Sequence, residues 1–511
     1  MPMKPVGRSG KATSQTPDVH VAEKSDGRVV PTKDPNKDDR KSSAEGLEGR
    51  RPTKENSRQP TPVPGAVPDM GGSSRLTWVR EVALQDKRKR FTTLLHHVTA
   101  EQLKVSFFAL KREASPGVDG VTWRMYATDL DARLLELHGR VQRGSYRAQP
   151  SKRVYIPKDD GRLRPLGMAA VEDKIVQHAV GTVLNVIYET DFAGYSYGFR
   201  PKRNQHQALD ALWVGLMRKR VNWVLDADIR GFFDNLSHEW LLKFVEHRIA
   251  DRRVLRLIRN WLRAGVEEGG RWSETKVGTP QGSVISPLLA NIYLHYVFDL
   301  WVQQWRSQAT GDVIVVRYAD DIVMGFQHQH EAAQCLAAWR ERLGEFGLEL
   351  HPDKTRLLEF GRYAAGDRQR RGEGKPETFE FLGFTHSCGK TRGTGRFWVH
   401  RRSSMKRLRR KLAAVKAELQ RRWHDPVPEV GQWLRRVVQG FFNYHAVPGN
   451  WESLRCFSRE VCRMWFRRLR RRSQRRHITW ARFAPIAAYW LPRPRILHPY
   501  PYVRFDAIHP R

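Results

Sequence analysis

Val313-Ile314-Val315-Val316-Arg317-Tyr318-Ala319-Asp320-Asp321-Ile322-Val323-Met324 is the stretch whose reading decides the fold. Two short apolar runs rich in β-branched residues flank Tyr318-Ala319-Asp320-Asp321, which predicts two buried strands joined at a hairpin tip. The tip carries two adjacent carboxylates. Held side by side on a rigid turn, they repel each other and call for a cation. Asp is common in turns for backbone reasons alone, so the tip becomes a site only if another strand brings a third acid. Trp223-Val224-Leu225-Asp226-Ala227-Asp228-Ile229 reads as that strand, buried and acidic at its end. An antiparallel sheet joining the two would gather Asp228, Asp320 and Asp321. Three carboxylates on neighbouring strands suit two divalent ions and in-line phosphoryl transfer. Mg2+ needs only a few carboxylates beside water and substrate phosphates, and Mn2+ is a workable substitute.

The chain of 511 residues has 90 Lys plus Arg against 54 Asp plus Glu, a net charge of +36. A field of that size points to a polyanionic partner. The 17 Trp, 14 Tyr and 22 Phe supply cores and stacking surfaces rather than a mere basic tail. No apolar run approaches the roughly 20 residues of a membrane span, and the polar start does not resemble a secretory signal. Nucleic acid, not membrane, is the expected partner. Cys335, Cys388, Cys456 and Cys462 form no C-x-x-C pair, so neither a zinc ribbon nor a disulfide framework is supported. Reduced thiols in a cytosolic protein are expected.

Residues 1–75, rich in Pro, Ser, Gly, Lys and Asp, bury too little to offset their conformational entropy and read as a disordered polar tail. Helical spacing follows at Phe91, Leu94 and Leu95 and again at Leu103, Phe107 and Leu110. A basic hairpin spans 153–166. The chain then alternates between helix and strand, with a long apolar helix from Ile285 to Leu300 and one strand from Phe379 to Phe384. From about 400 it becomes helix only. Leu408, Leu412, Val415 and Leu419 mark the first seam; Val430, Leu434, Val438 and Phe441 mark the second; Leu454, Phe457, Val461, Trp465 and Leu469 mark the third. A small bundle with a basic exterior is predicted. The run Arg467, Arg468, Arg470, Arg471, Arg472, Arg475 and Arg476 is dense enough to clamp phosphates. The Pro-rich end, Leu491 to Pro510, reads as an extended segment laid over the bundle.

Taken in order, the hairpin 153–166, Tyr195 to Pro201, Asp228-Ile229 with Phe232-Phe233-Asp234, Gly278 to Pro287, Tyr318 to Asp321, His351 to Thr355 and Phe381 to Phe384 resemble the reverse transcriptases encoded by group II introns, the intron maturase family. The resemblance covers roughly 85–480. It implies an α+β right-hand polymerase, with fingers and an antiparallel palm sheet over 76–395 and an all-α thumb or maturase bundle over 396–480. A Pro-rich extension, 481–511, would follow. Carried over residue by residue, Asp228 and Asp320 become the principal metal ligands and Asp321 the third catalytic acid. Phe233 would be the bulky gate beneath the sugar, and Gln281 would line the sugar pocket. Lys158 and Arg164 would clamp the triphosphate, Tyr318 would contact the primer end, and Lys354 would contact the primer or template backbone.

The implied activity is an RNA-directed DNA polymerase that binds its group II intron RNA, assists splicing and copies the intron into cDNA. Its partners would be intron RNA and an RNA template, a DNA target or primer, and dNTPs, with a homodimer as one assembly state. A bacterial cytoplasmic, nucleic-acid-associated location goes with it. Many relatives carry a C-terminal HNH-type nuclease rich in Cys and His; no paired Cys–His pattern occurs before Arg511, so that activity is expected to be absent. Two other readings compete. One is an RNA-binding splicing factor with a vestigial polymerase site, and the other a reverse transcriptase of retron-like or defence type.

Overall fold

The computed structural model describes residues 73–157, 163–391, 393–472 and 478–509. The expected tail therefore falls outside the described residues up to position 72, as do Lys158, Arg475 and Arg476. The apolar runs of the acidic stretch are strands, Val313–Tyr318 and Asp321–Phe326. They form one edge of a four-stranded antiparallel sheet, which continues through Trp223–Asp228 to Arg356–Glu359. Ile314, Val315, Val316, Val323 and Met324 are fully buried beneath helices Gln205–Arg218 and Gln329–Glu345, which pack on the sheet. Burial on both faces explains why these strands read as continuous apolar runs and not as alternation.

A second sheet holds Leu163–Met168, Ser151–Pro157, Val266–Glu268 and Arg271–Ser273, in that order. Its hairpin is antiparallel, and its central pair runs parallel. A third sheet is an antiparallel meander of Phe379–Phe381, Phe384–Lys390 and Phe397–Ser403. The three seams become helices Met405–Arg421, Val427–His445 and Trp451–Arg470, and Leu408, Leu434, Phe457, Val461 and Trp465 form their separate core. No helix among the described residues is long and apolar enough to cross a membrane.

Five expectations are corrected. The single strand Phe379 to Phe384 is a tight hairpin: Leu382 and Gly383 take φ of 46° and 82°, and Phe381 pairs with Phe384. Apolar patterning cannot register a two-residue turn of positive φ. The long helix from Ile285 is Ser286–Leu294 and Leu300–Gln308, separated by a π-turn at His295–Asp299. Phe91 and Leu94 are not helical. Phe91 bridges to Ile249, and the helix proper starts at Ala100, where the Thr99 side chain accepts from the Gln102 amide at 3.1 Å. Strand Phe397–Ser403 lies beyond the expected border at 395, so the bundle begins at Met405.

Finally, the C-terminal stretch is an extended strap on the bundle only in its first half. Residues 491–500 form neither helix nor strand, and the Leu497 and His498 amides donate to the Ala446 carbonyl at 2.9 and 3.2 Å, but Pro501–Ile508 is helical. Helix Trp480–Trp490 completes the bundle core through Phe483 and Ala487. Helix Pro501–Ile508 then returns to pack on Gln205–Arg218, where Arg218 pairs with Asp506 at 2.8 Å and Arg504 with Asp210 at 3.2 Å. Amphipathic spacing over eight residues is too short to announce a helix whose apolar face exists only against a distant partner.

Candidate active site

Register brings the three acids together. Tyr318 pairs with Asp321 across the two-residue turn Ala319-Asp320, and Asp321 pairs in turn with Asp228 on the next strand. Directly opposed residues of antiparallel strands share a face, so Asp228 and Asp321 project together beside Asp320 on the turn. Asp226 lies on that same face by the period of two. It is the fourth acid, held by Arg356 at 3.6 Å. Alternation along the strand was the available signal for it.

The electrostatics fit a site that wants a cation. Lost hydration among the surrounding elements, then Asp320 and Asp228, push the Asp321 carboxyl up to about 7, although the residue is still exposed to solvent at the start of its strand. Burial also raises Asp320, with Asp228 adding to the rise while Arg164 and Lys354 oppose it. Asp226 is pushed up to about 6 by burial, against the pull of Arg356. One cation already sits among them: the Lys354 ammonium donates to Asp228 Oδ2 at 2.6 Å. Its loop is tied to the end of the Asp228 strand, because the His351 amide donates to the Asp228 carbonyl at 2.8 Å. Among the described residues no three His, Cys, Asp or Glu side chains close into a ready-made metal cage. An all-protein cage is not what Mg2+ uses, since it keeps waters and takes one or two carboxylates. The donor set fits on those terms.

A cavity of 350 Å³ opens beside the acids. Asp226, Asp228 and Asp321 line it together with Leu382, Gly383 and Arg407. The turn of the Phe381-to-Phe384 hairpin is thus part of the cavity lining. A second cavity, of 260 Å³, is lined by Phe233, Gln281, Gly278 and Arg153 among others. Phe233 is half-buried on the turn Phe232–Asn235 and lies edge-on to Phe232. The Gln281 side chain donates to Asp234 Oδ1 at 3.2 Å, and its carbonyl accepts from the Gly167 amide at 2.7 Å. That bond locks the 278–282 turn onto the basic hairpin. Gly282 has φ 112°, and a Cβ there would meet the Gly167 carbonyl oxygen at 2.8 Å, so close backbone approach requires glycine. Arg164 is exposed on the hairpin, with its charge felt at Asp320. Arg153 went unnoticed in the sequence.

Next to the acids, helices Met405–Arg421 and Val427–His445 enclose a groove of 550 Å³ lined by Arg407, Arg410, Lys411, Arg436, Gly440 and Tyr444. Arg407 borders both the groove and the acid cavity. The basic face opposite the Leu408–Leu412–Val415 seam was the signal for it. The dense arginines at 467–472 divide. Arg467, Arg470 and Arg471 are exposed, whereas Arg468 stacks on Trp423 at 4.3 Å and Arg472 donates to the Arg422 carbonyl at 3.3 Å. Two of the run therefore close the end of the bundle.

The acid-tipped sheet lies in a reverse transcriptase domain: the family described as Reverse transcriptase (RNA-dependent DNA polymerase) matches residues 156–386. Protein YkfC of Escherichia coli K12 is 36% identical over 320 residues, which cover 55% of this chain and 82% of that one. Group II intron-encoded protein LtrA of Lactococcus lactis subsp. cremoris is 42% identical over 166 residues, covering 32% of this chain and 27% of LtrA. An uncharacterized 91 kDa protein in the cob intron of Schizosaccharomyces pombe is 40% identical over 159 residues, covering 31% and 19%. The chain belongs to the group II intron reverse transcriptase and maturase family.

Proposed function

We propose that this chain is an RNA-directed DNA polymerase that also binds group II intron RNA to assist splicing. The observation that carries the reading is the register that sets Asp228 opposite Asp321, beside a turn bearing Asp320. In this reading the acidic sheet is the palm, the basic hairpin sheet the fingers, and the helical bundle the thumb. Asp228 and Asp320 would hold divalent ions, with Asp321 as a third, less direct acid. Bound ions would supply the charge that activates a primer 3′-hydroxyl and neutralises a triphosphate.

The rest is positioning by the chain's own groups. Arg164 meets the triphosphate from the hairpin. Gln281 and Phe233 bound the sugar, the aromatic ring clashing with a 2′-hydroxyl and so favouring deoxynucleotides. Tyr318 backs the primer end. Lys354 neutralises Asp228 until the site is loaded, and then becomes free to meet a substrate phosphate. The groove rimmed by Arg407, Arg410, Lys411 and Arg436 tracks the backbone of the template–product duplex away from the acids. The exposed Arg467, Arg470 and Arg471 offer guanidiniums to structured RNA, which is read by shape and backbone.

Primer extension on poly(rA)/oligo(dT) with Mg2+ tests the reading. Wild-type protein should make cDNA, and Asp320→Asn should lose activity by at least about a hundredfold while still binding RNA. A protein that binds intron RNA and promotes splicing but makes no cDNA would establish the splicing-factor reading instead.

A further inference from the structure

Beneath the acidic turn lies a polar network that the reaction chemistry does not use directly. Arg317, immediately before Tyr318, is fully buried, and so is Asp299. Arg317 Nε donates to Asp299 Oδ1 at 2.8 Å and Nη2 to Oδ2 at 2.5 Å. Nη1 donates to Asn291 Oδ1 at 3.0 Å and to the Ala319 carbonyl at 3.2 Å. One guanidinium thus ties the turn residue Ala319 to two residues of the apolar helix.

The geometry of that helix is fitted to the task. Asn291 and Asp299 are eight residues apart, which in a straight α-helix leaves them about 80° apart around the axis. The π-turn His295–Asp299 lies between them, and its wider i→i+5 winding takes up that difference, so both face the same guanidinium. The network also reaches the other flank. The Tyr195 hydroxyl donates to the Asp299 carbonyl at 2.6 Å, Asn291 Nδ2 donates to the Gly198 carbonyl at 2.8 Å, and Tyr195 and Tyr197 exchange backbone bonds with Arg317 at 2.9 Å. A Cβ on Gly198 would fall 2.3 Å from the Ala319 amide. Ala319 itself is held at φ 56°, a conformation that L-residues adopt at a cost.

Stability alone does not account for this arrangement. A buried ion pair roughly breaks even against apolar residues of the same shape. Strained backbone persists where its surroundings over-determine it, and such places cluster at functional sites. We infer that Arg317 and Asp299, brought together by the π-turn, are positioning residues that fix the Ala319 carbonyl and so set the metal-binding geometry of Asp320 and Asp321. The inference rests on the proposed metal role of those acids.

The test replaces both charges at once, Arg317→Met with Asp299→Leu, a kind of change that often leaves stability intact. Three quantities are read: the melting temperature, Mn2+ binding to the protein alone by the EPR signal of free Mn2+, and steady-state dTTP incorporation on poly(rA)/oligo(dT). A positioning role predicts a near wild-type melting temperature and a dTTP KM within about twofold, with kcat down about 10- to 100-fold and the Mn2+ Kd raised at least about threefold. A kcat or an Mn2+ Kd within about twofold of wild type in the folded double variant would overturn the inference. Should that variant not fold, Arg317→Lys takes its place. It keeps the charge on Asp299 but offers one ammonium for three partners, and the same two readings are expected to move by at least about threefold. Wild-type values there would overturn the inference equally. Wild-type protein that neither binds Mn2+ nor extends the primer would sink the metal-centre reading beneath it, an outcome distinguishable from the failure of the pair alone.

Discussion

Asp210 offers the sharpest test of how the chain's end is tied to its sheet. It projects from helix Gln205–Arg218 between two arginines: Arg401 of strand Phe397–Ser403 at 2.8 Å and Arg504 of the last helix at 3.2 Å. The Asp210 and Arg401 side chains are only 4% and 2% exposed. Burial pushes the carboxyl up and the guanidinium down even though they face each other, so lost hydration outweighs their attraction. Such a pair adds little net stability, yet it cannot be halved. Asp210→Ala leaves the Arg401 charge buried without a counterion and should destabilise the protein by about 3–5 kcal/mol. Arg504→Ala should cost no more than about 1 kcal/mol, because its contact with Oδ2 is an ion pair without hydrogen-bond alignment and Arg401 remains. Asp210→Leu combined with Arg401→Met should melt close to wild type or above it. Thermal unfolding of the three variants beside wild type, in one buffer, measures all of this. If Asp210→Ala is no less stable than the double variant, the reasoning is wrong.

Two further outcomes follow from the site and its support. Phe233→Ala should raise ribonucleotide incorporation relative to deoxynucleotide in single-nucleotide extension, and unchanged sugar selectivity would remove Phe233 from the gate. Asp173 is buried at the start of helix Val171–Asp191, accepts from the Tyr146 hydroxyl, and is held up at about 6 by burial. Its folded value therefore lies above the unfolded one, near 3.9. The folded state binds the extra proton between about pH 4 and 6, so stability falls by about 3 kcal/mol as pH rises through that window. Asp173→Asn should remove that share of the pH dependence; stability profiles that superimpose across the window would refute it.

Much of the fold was legible because short-range patterns carried it. β-branched runs announced the hairpin strands, and 3–4 spacing announced the three bundle helices. Both depend on which side chains are apolar and how far apart they stand. Asp228, Asp320 and Asp321 stood out only as a set, because a turn Asp has backbone reasons of its own to be there and it is the third acid, ending another apolar strand, that sets the group apart. Lys354 was assigned to a substrate backbone, and the structure gives it a nearer partner in Asp228. Alternation puts Asp226 on the face of Asp228, but which of the many basic residues line a cavity, as Arg153 and Arg407 do, depends on how distant elements pack.

What the sequence determined by itself was the strands of the acidic hairpin, the three seamed helices of the bundle, the carboxylates at the strand ends and the basic character of the chain. All of these follow from residue type and spacing along a few turns or strands. The tertiary structure decided which strand lies beside which, and with it the register that opposes Asp228 to Asp321. It also decided that Leu382-Gly383 is a turn, that a π-turn brings Asp299 and Asn291 to one guanidinium, and that the last helix returns to Asp210. Each of these joins residues far apart in the chain. Their energies exist only once distant surfaces exclude water from each other, so no window of sequence could contain them.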